Sequence, residues 1–173
     1  MNSNFPACLK FLLLDEGGYT NNAADSGGPT NKGITEREYA AWCRMHSSPP
    51  GDIRTISDAT VATIYQVQYW NPSCDPLPKG TDYLLFDMNV NMGPVQGARL
   101  LQRALKVTDD GHIGVVTMQA ALAADPKVLI PLVTEQKIAF YKELEREQPK
   151  DVVFDHGWMN RVANVQARAM GML

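Results

Sequence analysis

Apolar positions recur at helical spacing through most of the chain, and the first such run carries a break in its pattern. Phe5, Leu9, Leu12, Leu13 and Glu16 fall at i, i+4, i+7, i+8 and i+11, the spacing of one helical face. Glu16 thus occupies a place on the stripe where a core residue is expected. Gly17 and Gly18 follow it, and the pattern predicts that glycine ends this helix through a left-handed cap. Residues 17–35 then lose the apolar period. Five glycines, a proline and a crowd of hydroxyl and amide side chains predict a turn-rich loop with at most a small β-hairpin near residues 20–35.

Helical patterning resumes beyond it. Thr35 with Glu38 three positions later has the form of a capping box, opening a helix to about Ser47. Ser57 is placed to cap the next, with Val61, Ile64, Tyr65 and Gln68 along one face and an end near Trp70. A proline-rich connection precedes a central helix over Asp82–Asn91, and Gly93-Pro94 separates it from one over Val95–Lys106. Along the central helix Tyr83, Asp87 and Asn91 recur every four residues. Buried polar groups in such a row most often satisfy neighbouring groups; the alternative is that Asp87 or Asn91 supports Glu16 or touches substrate. In the last third, Leu129, Leu132, Val133, Phe140 and Leu144 make one predicted stripe, and Trp158, Val162, Val165, Ala169 and Met172 another. The expected fold is mainly α.

Composition narrows the classes of function. A chain of 173 residues suits one domain, or a compact core with a small subdomain. A net charge of −3 without a basic cluster argues against a nucleic-acid partner. Cys8, Cys43 and Cys74 are widely spaced and show no paired Cys/His pattern, so buried free thiols, no metal and no cofactor are expected. Cys8–Leu14 is too short for a membrane span and lacks the flanks of a signal peptide. The expectation is synthesis in the cytoplasm, with action in the periplasm or on the cell wall after release through a holin or an export system.

The chemistry centres on Glu16. A carboxyl at a helix C-terminus meets partial desolvation and the negative end of the helix dipole, and both disfavour its charged form. A general acid is prepared in this way. Asp25, nine positions on, is the candidate second carboxylate of a glycoside-cleaving pair, although Asp-Ser-Gly-Gly is equally a turn sequence. Such a pair lies roughly 5 Å apart in retaining enzymes and about 6.5–9.5 Å apart in inverting ones. Tyr19 offers a ring face, and Thr30, Asn31 and Thr35 offer groups that hydrogen-bond sugar hydroxyls or N-acetyl groups. No nucleophile–His pair or zinc-ligand spacing supports a peptidase.

Glu16-Gly-Gly-Tyr19 followed by Asp25-Ser-Gly-Gly-Pro-Thr-Asn-Lys-Gly-Ile-Thr35 resembles the signature of the glycoside hydrolase family 108 N-acetylmuramidases, lysozyme-like enzymes of phages and Gram-negative bacteria. The resemblance continues in order through Tyr69-Trp70-Asn-Pro, Leu77-Pro-Lys-Gly-Thr-Asp82-Tyr, Phe86-Asp87-Met-Asn-Val-Asn91-Met-Gly-Pro94 and Leu100-Leu-Gln102. Asp110-Gly-His-Ile-Gly114, similar to a turn of small peptidoglycan-binding modules, and Gly157-Trp158-Met-Asn-Arg161-Val162 complete it. Lys32 departs from the bulky or aromatic residue expected between Asn and Gly, which weakens a sugar-stacking role there. The resemblance implies a lysozyme-like catalytic part over about residues 1–92 and a peptidoglycan-binding-like helical part over 93–173, packed as one body. It implies hydrolysis of the β-1,4 bond between N-acetylmuramic acid and N-acetylglucosamine, with Glu16 as the acid; a monomer is expected. Two alternatives stay open: a non-catalytic wall-binding or secretion-assisting protein, and a lytic transglycosylase.

Overall fold

A computed structural model describes residues 4–21, 28–49, 51–70, 72–147 and 155–173. The chain is mainly α, and the described strands form one two-stranded antiparallel sheet. It divides into two compact units: Pro6–Gln68, and Tyr69–Leu173 together with the first five residues.

The first unit carries most of α1 (Phe5–Asp15), the hairpin β1 (Thr30–Asn31) and β2 (Ile34–Thr35), α2 (Glu36–Met45), a 3-10 turn at Ile53–Thr55, and α3 (Asp58–Tyr65). Cys8, Leu9 and Leu12 are buried on α1 as its period requires. The helix ends differently from the sequence expectation. Neither Gly17 nor Gly18 has positive φ, so no left-handed glycine cap forms. Glu16 keeps a backbone bond, its amide donating to the Leu12 carbonyl at 3.2 Å.

The hairpin pairs Thr30 with Thr35 and Asn31 with Ile34, and a bridge ties Thr20 to Thr30. Its two-residue loop is Lys32-Gly33, with φ of 51° and 76°. Positive φ at both central residues is the type I′ pattern that matches the twist of paired strands. Thr35 then caps α2 as its sequence predicts. Its side chain accepts from the Glu38 amide at 3.2 Å, while the Glu38 carboxylate accepts from the Thr35 amide at 2.9 Å. Ser57 caps α3, its hydroxyl oxygen accepting from the Thr60 amide at 3.1 Å. Where one continuous helix was expected to run to Trp70, the α-geometry stops at Tyr65 and widens into a π-helical stretch over Gln66–Trp70.

The second unit is built on α4 (Thr81–Met92), buried on every side from Thr81 to Asn89. Packed on it are α5 (Pro94–Leu105), α7 (Pro126–Glu147) and α8 (Asp155–Gly171), while α6 (Val115–Ala123) packs on α5. Phe5, Trp70 and Phe86 form an aromatic cluster with centroids 5.3–5.8 Å apart. The α8 stripe buries Val162, Val165 and Ala169 as expected. The α7 stripe is rotated from its predicted position. Its buried face is Leu129, Ile130, Val133, Thr134, Lys137 and Tyr141, while Leu132 stays 37% exposed. The cause is a charge: Lys137 is 1% exposed because its ammonium pairs with the carboxylate of Asp87, itself fully buried. An apolar pattern cannot reveal a lysine that belongs to the core.

Candidate active site

In the first unit the end of α1, the hairpin and the end of α3 converge on Gly33. A Cβ built on Gly33 would overlap the Tyr65 hydroxyl and come 2.9 Å from Oε2 and 3.2 Å from Cδ of Glu16. Only glycine therefore satisfies this position, for its positive φ and for the space above it. Glu16 is half-buried there, while Gly17 and Gly18 beside it face open space. The Tyr65 hydroxyl donates to the Lys32 carbonyl at 2.9 Å, pinning the turn to α3. This contact went unrecognised in the sequence, where Tyr65 reads as one more apolar position on a helical face. The aromatic hydroxyl four residues past Val61 was the available signal, since a buried phenol requires a polar partner.

The remaining candidates divide by what their side chains already do. Asn31 is 7% exposed and donates to the carbonyls of Ile53 at 3.0 Å and Arg54 at 3.3 Å, tying β1 to the 3-10 turn. The Thr35 hydroxyl belongs to the capping box and also donates to Glu38 Oε2 at 2.8 Å. Thr30 donates to the Gly28 carbonyl at 3.2 Å. Tyr19 is 45% exposed and lies within electrostatic reach of Arg54. The Arg54 guanidinium is paired with Asp52, and this pairing holds the Asp52 carboxyl below the usual carboxylate range. Lys32, placed at the turn, pairs its ammonium with Asp58. Asp25 lies outside the described residues.

Asp87 and Asn91 belong to the second unit. Asp87 accepts from Lys137 on one oxygen and from Arg161 at 3.0 Å on the other, and Asn91 donates to that second oxygen at 3.1 Å. Asp87 thus joins α4, α7 and α8 through a buried ion-pair cluster, a role sequence patterning left among its alternatives. Nearby, Tyr141 stacks on Trp158 with centroids 4.9 Å apart. Burial, reinforced by the negative charge of Asp87, pushes the Tyr141 phenol up to about 12. The Asp110–Gly114 turn is organised by Gln102, whose amide donates to Asp110 at 2.8 Å and to the His112 carbonyl at 3.0 Å. The Gly111 amide donates back to the Gln102 carbonyl oxygen at 2.9 Å. A bond from the His112 amide, then the one from Gln102, lowers the Asp110 carboxyl.

Cys8, Cys43 and Cys74 are buried free thiols. Among the described residues, no cluster of three or more His, Cys, Asp or Glu is placed to hold a metal ion, and no helix is long and apolar enough to cross a membrane.

Residues 9–93 match the glycosyl hydrolase 108 family, and residues 96–163 match a family described as a predicted peptidoglycan domain. No curated protein matches the chain. Among solved structures, SagA of Brucella abortus is similar over 98% of this chain and 95% of its own, with 28% identity and a TM-score of 0.80. The mainly α architecture is that of the lysozyme-like fold. The two matches in series identify a glycoside hydrolase acting on peptidoglycan. By these matches the chain carries a glycosyl hydrolase 108 domain over residues 9–93, followed by a predicted peptidoglycan domain over residues 96–163.

Proposed function

We propose that the protein is an N-acetylmuramidase that hydrolyses the β-1,4 bond between N-acetylmuramic acid and N-acetylglucosamine, with Glu16 as general acid. The observation that carries the reading is the seat of the Glu16 carboxyl. It is half-buried at the end of an apolar helix and held against a hairpin turn whose glycine leaves it room. In this mechanism Glu16 donates its proton to the glycosidic oxygen as the bond to the anomeric carbon breaks. Water then adds to the oxocarbenium-like centre, releasing a reducing muramic end. Asp25 guides that water or stabilises the developing positive charge.

Roles for the surrounding groups follow from how they are engaged. Tyr19, exposed beside Arg54, supplies a ring face for a sugar. Thr30 presents a hydroxyl at the edge of the hairpin, whereas Asn31 and Thr35 act by holding the hairpin in place. The Asp87 cluster maintains the second unit, which engages the glycan strand as its family description suggests. The enzyme meets this substrate in the periplasm, after release or export from the cytoplasm.

Solubilisation of dye-labelled Gram-negative sacculi tests the proposal. Wild type is expected to release dye, and Glu16→Gln to release at least a hundredfold less while still cosedimenting with sacculi. Undiminished release by the variant would overturn the assignment of Glu16.

A further inference from the structure

We propose that the second unit holds the glycan strand of peptidoglycan in a groove along the Gly111–Val115 turn. There Ser73, His112 and Gln119 offer hydrogen-bonding groups beside the apolar side chains of Val95, Ile113 and Val115. The assignment rests on the reading of this unit as one that engages peptidoglycan.

Two cavities meet at the turn, both walled by Ser73 and Ile113 and both within the second unit. The larger, of about 450 Å³, runs along the start of α6 past Val115, Met118 and Gln119. It falls in the range of about 300–1,000 Å³ usual for small-ligand sites. The smaller, of about 200 Å³, is lined by Pro94, Val95 and Ala98 of α5 and by His112. Val95 and Val115 stay 50% and 73% exposed, apolar side chains left in water beside polar ones. Such a mixed surface is made for a ligand with both kinds of face.

The turn between the cavities is built in advance. Gln102 bonds to Asp110, to the His112 carbonyl and to the Gly111 amide, and donates to the Thr117 hydroxyl at 3.1 Å. Gly111, at a φ of 82°, lies so close to α5 that a Cβ would come 2.8 Å from Cγ1 of Val95. These contacts leave the His112 side chain exposed. Among the described residues, Ser73 and Gln119 form no side-chain hydrogen bond. Asn31 and Thr35, by contrast, are already engaged in holding the hairpin. A fixed groove with unused donors and acceptors costs little ordering when a ligand enters.

Charge selects the part of the polymer that fits. Among the described residues, no Asp, Glu, Lys or Arg lines either cavity. Peptide stems carry free carboxylates, which need cationic partners once desolvated. The sugars of the strand instead present hydroxyls, acetamido groups and apolar ring faces, which this lining matches. The turn and α6 also lie inside the match to a predicted peptidoglycan domain.

An NMR titration of the whole chain carrying Glu16→Gln, which is expected to leave the strand uncleaved, tests the groove. Peptide-free glycan strands released from sacculi by an amidase should shift the backbone amides of Ser73, His112, Ile113, Val115 and Gln119 saturably. The free stem peptides of the same digest should leave them in place. Adding His112→Ala and Gln119→Ala, both at exposed positions, should weaken cosedimentation with sacculi about tenfold for two lost hydrogen bonds, at unchanged melting temperature. Glycan-induced shifts confined to residues 6–68, or wild-type cosedimentation by the doubly substituted protein, would overturn the proposal. Shifts at the turn with stem peptides alone would overturn it in favour of the peptide. Loss of all sacculus binding by the parent Glu16→Gln protein would instead sink the peptidoglycan reading beneath it.

Discussion

The carboxyl of Glu16 rests against Gly33, and the distance from its Oε2 to where a Cβ would sit is 2.9 Å. A residue that ends one helix is thereby coupled to the second residue of a type I′ turn seventeen positions later in the chain. The coupling is steric and conformational at once. Gly33→Ala adds a methyl where the Tyr65 hydroxyl and the Glu16 carboxyl already lie, at a φ of 76° that costs an L-residue roughly 1–2 kcal/mol. The variant is expected to melt several degrees lower and to lose most of its activity at temperatures where it is fully folded. Thermal denaturation and dye release measured on one preparation check this. Full activity in a folded Gly33→Ala protein would mean that the close approach is irrelevant to turnover.

The capping box gives a milder prediction on stability. Thr35 accepts from the Glu38 amide and Glu38 closes the box onto the Thr35 amide. Thr35→Ala removes the side-chain half and is expected to cost about 1 kcal/mol of stability, measured as a shift in urea midpoint. A change within error would show that Thr35 contributes little to the start of α2.

Asp87 predicts a much larger loss. Its carboxylate is the shared partner of Lys137 and Arg161 inside the second unit. Asp87→Ala leaves the Lys137 ammonium buried without that counter-charge, a change worth about 3–5 kcal/mol in comparable settings. Chemical denaturation should register it as a large drop in midpoint or as failure to fold. A loss below about 1 kcal/mol would place these charges in contact with water instead.

Asp82 predicts a pH dependence. Burial is the largest influence on its carboxyl and pushes it above the usual carboxylate range, opposed by bonds from Asn4 and from the backbone amides of Tyr83 and Gly80. Over the window just above the ordinary carboxylate range, the folded protein holds this proton and the unfolded chain has released it. Asp82 therefore contributes a loss of stability as pH rises through that window. Asp82→Asn removes the contribution, so the stability of the variant relative to wild type should improve as pH rises. Denaturation midpoints across the window measure this, and a relative stability of the variant that stays constant or falls as pH rises would contradict the assignment.

The elements legible in the sequence were those set by local rules. Helix period placed α1 through α5 closely, and side-chain chemistry at Thr35 and Ser57 marked two helix starts to the residue. Glu16 stood out because a carboxylate interrupted an apolar stripe. What stayed illegible depends on partners distant in the chain. Lys137 reads as a solvated position until Asp87, fifty residues away, is brought beside it. Tyr65 reads as apolar packing until its hydroxyl meets the hairpin turn. The α1 terminus was misread for a different reason. A Gly-Gly pair permits a left-handed cap without requiring one, and here both glycines keep negative φ or extended backbone.

Mass spectrometry of the products from purified Gram-negative sacculi, digested in parallel by wild type and Glu16→Gln, tests the central claim most directly. The account predicts fragments with reducing muramic ends from wild type and none from the variant. Anhydro-muramoyl ends from wild type would make the enzyme a lytic transglycosylase, and reducing muramic ends from Glu16→Gln at wild-type yield would contradict the role of Glu16.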